Sequence, residues 1–187
     1  MHAMRKVEVV PLEMTATISA CGLYRYRLER DLFPDGEGSV AVIMVNPSTA
    51  DATKDDATIT RIRRRFMKAE YLSKLLPRPA KVIVGNLFAF RATDIRVLAS
   101  AADAIGPDND EQLWRIALEA DRLVYGWGPL AKMPAPLRGR WRQVHDLFMA
   151  SGKHIPSIIG RPAQDGQPRH PLMLGYDEPL VSWNVPI

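Results

Sequence analysis

Apolar and polar positions along the chain fall into two regimes. Thr15 to Ser19 reads as a short strand. Leu23 to Leu28 alternates apolar or aromatic residues with arginines, the pattern of a strand with one wet face. Asp35-Gly36-Glu37-Gly38 then supplies a turn. Beyond it, Val40 to Val45 is continuously apolar, which marks a strand covered on both faces. Val82 to Val84, Leu123 to Tyr125 and Ile155 to Ile159 are shorter runs of the same kind. Helical spacing lies between them. Ala57 to Glu70 carries Ile59, Ile62, Phe66 and Met67 on one stripe; Asp108 to Ala120 carries Leu113, Ile116, Ala117 and Ala120; Leu137 to Ala150 carries Trp141, Val144, Leu147 and Phe148. A short helix follows Thr93 or Asp94, either of which can cap it, and runs from Ile95 to Ala101. Strands alternating with helices predict an α/β domain with a mostly parallel central sheet of about four strands and an antiparallel N-terminal edge. No internal repeat or linker divides the chain, so a single domain over 1–187 is expected.

Composition narrows the class of protein without naming an activity. The 187 residues are 47% hydrophobic and 25% charged, enough to build one real core and too ordered a mixture for a disordered chain. A single cysteine, Cys21, excludes an intrachain disulfide and a multi-cysteine metal site. No apolar run reaches the roughly 20 residues that span a bilayer, and no signal-like stretch opens the chain, so a cytoplasmic protein without a membrane partner is expected. The net charge of +4, with pI ≈ 9.4, permits a polyanionic partner such as DNA or a nucleotide.

The candidate chemistry gathers where the parallel strands end. Ligands of open parallel sheets bind outside the carboxyl ends of the strands. Four segments leave those ends here: Asn46 to Asp51, Asn86 to Asp94, Gly126 to Gly128, and Gly160 to His170. In the first, Pro47 holds Asn46 extended, while Ser48, Thr49, Asp51, Asp55 and Asp56 serve either to cap the next helix or to bind phosphate and orient water. Asp55 and Asp56 together could also hold a divalent cation, although no third ligand is evident and no metal is assigned. Arg61, Arg64, Arg65 and Lys68 share a helix face that either tracks a nucleic-acid backbone or is simply solvated. In the second loop, Asn86 faces the region of Asn46, Arg91 and Asp94 are spaced for an ion pair, and Phe88 and Phe90 suit a stacking wall or ordinary core. Asp108 is placed to cap the helix after Gly106-Pro107. Trp127, between two glycines, suits ligand stacking or a lid over the core. Arg169 suits phosphate, and His170, held between Arg169 and Pro171 in a stiffened loop, suits an acid, base or hydrogen-bond donor. The other histidines, His2, His145 and His154, show no metal-ligand spacing.

Taken together, Asn46 to Asp51, Asp55-Asp56, Asn86 to Asp94, Gly106 to Asp110 and Gly166 to Leu172 resemble the bacterial and phage family catalogued as domain of unknown function 1643, over about Tyr24 to Leu174. Ile95 departs from that family's usual proline, and Arg161-Pro162-Ala163 from a threonine-containing stretch. More distantly, the order Asn46-Pro47-Ser48, Asn86 to Arg91, His170-Pro171 resembles the uracil-DNA glycosylases, although Leu172 stands where they usually have serine. That resemblance implies a three-layer α/β sandwich and a hydrolase that releases a base. Asn46 and Asp51 would position water, and His170 would hydrogen-bond the leaving base. Phe88 or Phe90 would stack on it, with Ser48, Asn86, Arg91, Trp127 and Arg169 as further substrate contacts. No cofactor is implied. The alternatives are a non-catalytic nucleotide or nucleic-acid binding module, and a metal-dependent phosphohydrolase built on Asp51, Asp55 and Asp56.

Overall fold

A computed structural model describes residues 12–68 and 78–186. Seven strands form one mixed sheet: β1 (Met14–Ile18), β2 (Arg25–Asp31), β3 (Ser39–Met44), β4 (Lys81–Asn86), β5 (Arg122–Tyr125), β6 (Ser157–Ile159) and β7 (Leu180–Ser182). Their spatial order is β1-β2-β4-β3-β5-β6-β7. The central strands β4, β3, β5 and β6 run parallel. β1 and β2 form an antiparallel edge, with Leu28 opposite Val84 where β2 meets β4. β7 adds an antiparallel edge on the other side, opposite β6, which the apolar pattern did not anticipate.

Four α-helices lie among the described residues: α1 (Ala57–Met67), α2 (Ile95–Ala99), α3 (Asn109–Glu119) and α4 (Arg140–Ala150). Residues 69 and 70 of the expected first helix, and His2, lie outside the described residues. The continuous apolar runs feed both faces of the sheet, because alternate residues of a strand point oppositely. Val40, Val42, Val82, Val84 and Val124 pack with Ile59, Ile62 and Phe66 of α1. Ala41, Ile43, Ile83, Leu123 and Tyr125 pack with α2, α3 and α4 through Leu98, Leu113, Ile116, Trp141 and Phe148. Consecutive crossovers therefore leave the sheet on opposite sides of β3, and loops diverge at its carboxyl end. That divergence opens a crevice there.

The arginines of β2 correct the expectation of a wet face. β2 lies between β1 and β4, so Arg25 is 2% exposed and Arg30 is fully buried. Arg30 donates from Nε to Asp55 Oδ1 at 2.6 Å and from its other nitrogens to the carbonyls of Thr15, Glu29 and Asp51. The buried charge is thus paired, and it ties the β1–β2 edge to the loop before α1.

Candidate functional site

The loops leaving β3, β4, β5 and β6 surround one cavity of about 790 Å³. Asn46, Asn86 and His170, from three different loops, all line it, as do Ser48, Trp127 and Arg169. Its remaining walls include Met44, Ile59, Ile95 and Met133, which give a flat ligand apolar surface to lie against.

Each polar group is held by local chemistry. Asn46 donates from Nδ2 to Ala92 O at 2.6 Å and to Pro47 O at 3.0 Å, and Ala92 N donates back to Pro47 O at 3.0 Å. With the amide hydrogens used this way, Asn46 Oδ1 remains an acceptor beside the cavity. Ser48 and Thr93 hydroxyls lie 3.3 Å apart across the same two loops. Asn86 is buried, and its Oδ1 accepts from Arg25 Nη2 at 3.3 Å. Its carbonyl accepts from Asn109 Nδ2 at 3.2 Å, so α3 braces the end of β4. Arg25 also donates from Nη1 to Ala50 O at 2.9 Å and lines the cavity. Burial pulls its pKa down to about 10, opposed by the nearby carboxylate of Asp56.

His170 caps a short 3-10 turn, Pro171–Met173: its Nδ1 accepts from Leu172 N at 3.3 Å. That bond leaves Nε2 as the protonated nitrogen of the neutral ring. Burial lowers the His170 pKa, against a smaller raising influence of Asp56, and so favours this neutral donor form. Glycine places the segment. A Cβ at Gly126 would sit 3.1 Å from Met44 Sδ and 3.2 Å from Pro171 Cδ and Cγ, so a side chain there would push the histidine loop outward. Gly128 takes φ +90, and a Cβ on it would meet His170 Cβ at 3.6 Å. Trp127 donates to Gln167 Oε1 at 2.9 Å, Trp183 donates to Gly166 O at 2.9 Å, and Leu130 N donates to Asp165 Oδ2 at 2.7 Å. Three bonds thus pin the histidine loop to the end of β5 and to the last strand.

Other sequence-predicted residues lie elsewhere. Asp51 accepts from Thr53 N, Thr53 Oγ1 and Lys54 N, which hold its carboxyl below the usual range. It shapes its own loop and lies outside the cavity lining. Phe88 is buried in the core, and Phe90 packs edge-on against Tyr24; neither lines the cavity. Arg91 donates to Gly22 O at 3.2 Å, and Asp94 pairs with Arg96 rather than with Arg91 while capping α2. Asp108 stands at the start of α3 without a side-chain capping bond.

The basic face of α1 is not one open surface. Arg65 is fully buried and donates to the carbonyls of Gly175, Tyr176 and Glu178. Arg61 donates to Leu174 O and lies over the Tyr176 ring. Lys68 is exposed and pairs with Asp177 at 3.1 Å, so Arg64 and Lys68 are the exposed members of the stripe. The helix uses these cations to hold the segment after His170. The acidic pair is also divided: Asp55 pairs with Arg30 and Arg63, while Asp56 caps α1 by accepting from Ile59 N at 2.9 Å. No cluster of three or more His, Cys, Asp or Glu suited to a metal occurs among the described residues.

Sequence reasoning missed the cavity cations Arg25 and Lys132. Arg25 looked like a solvent-facing position of an edge strand. Asp56, read as either a cap or a group that orients water, caps α1 and also lines the cavity. The family comparison accords with this frame. Residues 25–172 match the model described as protein of unknown function (DUF1643). The chain belongs to that family. The DUF1643 match spans every loop around the cavity, from Arg25 on β2 to Leu172 in the 3-10 turn. No curated protein and no solved structure matches the chain.

Proposed function

We propose that the cavity binds a nucleobase or nucleotide and hydrolyses its N-glycosidic bond, in the manner of a glycosylase. The observation that carries this reading is the meeting of Asn46, Asn86 and His170 around one cavity, in the loop order that resembles the uracil-DNA glycosylases. The base lies against Trp127 and the aliphatic walls. Neutral His170 donates from Nε2 to a base carbonyl oxygen, stabilising the negative charge that develops as the base departs. Asn46 Oδ1 and the Asp56 carboxylate orient a water. Its oxygen bonds to C1′ of the sugar while the C1′–N bond breaks; the pair of electrons leaves with the base, and the water's proton passes to Asp56. Asp56 replaces Asp51 in this role because Asp56 lines the cavity and Asp51 does not.

The test is chromatographic detection of free base after incubation with nucleosides, nucleotides and oligonucleotides carrying normal and modified bases. His170→Ala and Asn46→Ala should each slow release by about 10²-fold or more, the usual effect of removing a transition-state donor or a positioned acceptor. Saturable binding with no base released from any of them would overturn the hydrolase. It would leave a nucleotide-binding module.

A further inference from the structure

We infer that the cavity contains a subsite for a phosphate monoester centred on Arg25, so that the ligand is a nucleoside monophosphate. The nucleoside half of this statement rests on the reading above; the phosphate half stands on Arg25 and the cations beside it. Four arginines are buried among the described residues: Arg25, Arg30, Arg65 and Arg140. Arg30 faces Asp55, Arg140 faces Asp110, and Arg65 is gripped by three backbone carbonyls. Arg25 is different. It alone of the four lines the cavity; it is 2% exposed, has no carboxylate of the described residues within 4 Å, spends two donors on Ala50 O and Asn86 Oδ1, and leaves Nε without a hydrogen-bond partner. Removing a guanidinium from water without a facing anion is expensive, and an arginine so placed beside a cavity is suited to an anion that arrives with the ligand.

The surroundings agree. Lys132 and Arg169 also line the cavity and make no ion pair among the described residues. With Arg25 they set three cations against the single carboxylate of Asp56. That excess suits a group of charge about −1.5 to −2 with three acceptor oxygens. A phosphodiester carries less charge and has chain on both sides. A side chain as enclosed as Arg25 is reached by a terminal group that enters the cavity, which selects the monoester over a strand of nucleic acid.

Calorimetry on the whole protein separates these possibilities. The probes are inorganic phosphate, common nucleosides, their 5′-monophosphates, and a single-stranded oligonucleotide without terminal phosphate. Wild type should bind inorganic phosphate saturably and 5′-monophosphates about tenfold or more tightly than the nucleosides, tenfold being the effect of one good charged hydrogen bond. Arg25→Gln should abolish that preference, Arg25→Lys should restore part of it, and Arg169→Gln should weaken it severalfold. Circular dichroism and thermal midpoints establish whether each variant is folded. If Arg25→Gln does not fold, the wild-type nucleoside comparison and Arg169→Gln decide. Equal binding of nucleosides and monophosphates, phosphate binding unaltered in folded Arg25→Gln, or oligonucleotide binding as tight as that of mononucleotides overturns the subsite. Phosphate binding without discrimination among bases and without base release instead overturns the glycosidase reading and leaves the subsite standing.

Discussion

At the scale of single residues, the site depends on side chains whose own hydrogen bonds fix their protonation and direction. His170 is one of three histidines, with His145 and His154, whose pKa burial lowers. A base with a depressed folded-state pKa binds its proton more readily in the unfolded chain. Unfolding is therefore favoured as pH falls below the ordinary histidine value of about 6.5, and the penalty is complete once pH is below the lowered folded values. Urea titrations at pH 7.5 and pH 5.5 should show lower stability at the acidic pH, and His170→Asn should flatten part of that difference. Gly126 offers a second test. Gly126→Ala brings a methyl group against Met44 and Pro171, and overpacking of this kind costs about 1–3 kcal/mol. Expressed as free energies, its effect on ligand binding should exceed its effect on folding stability, because the displaced atoms carry His170. Residue identity alone suggested Asn46, Asn86 and His170. It could not reveal Arg25, because an arginine in an alternating strand looks the same whether the strand is at an edge or one place inside it.

At the scale of elements, the arginines of α1 and β2 act as clamps. Arg65 supplies the carbonyls of Gly175, Tyr176 and Glu178 with donors that the irregular backbone lacks. Arg65→Ala should destabilise the protein by about 3 kcal/mol, from several carbonyls losing a charged donor, whereas Arg64→Ala on the exposed face should leave the denaturation midpoint unchanged. Asp55→Ala should cost a similar amount, about 3–5 kcal/mol, because it strips the carboxylate from fully buried Arg30. Helical spacing identified α1 and its basic stripe correctly as a pattern. The use of that stripe was illegible, since the segment it grips lies more than a hundred positions away and has no periodicity of its own.

At the scale of the whole molecule, one sheet carries two cores, and the cavity sits where the crossovers part. The four parallel strands could be read from the chain because strands buried on both faces have no reason to alternate. β7 could not: it has three residues, two of them exposed, and gains its place only by pairing with β6. The segment holding it nevertheless matters to the site. Trp183 stacks edge-on with Tyr125, Trp127 and Trp141 and anchors Gly166. Trp183→Ala should cost about 3–5 kcal/mol, seen as a drop of roughly 10 °C in thermal midpoint. It should also weaken ligand binding by loosening the loop that bears His170.

The strand order carries one more consequence, for how the molecule assembles. β2 and β3 are neighbours along the chain, joined by residues 32–38, yet β4 separates them in the sheet. Both pair with β4, one antiparallel and one parallel, so β2 and β3 themselves run in opposite senses, as the arms of a hairpin do. Closing a short loop is fast, and pairing with a strand some forty positions further on is slow. A nascent β2–β3 hairpin would therefore form first and would have to open to admit β4. Refolding should pass through an early species rich in strand, visible as a curved folding limb in stopped-flow kinetics, before the centre of the sheet closes.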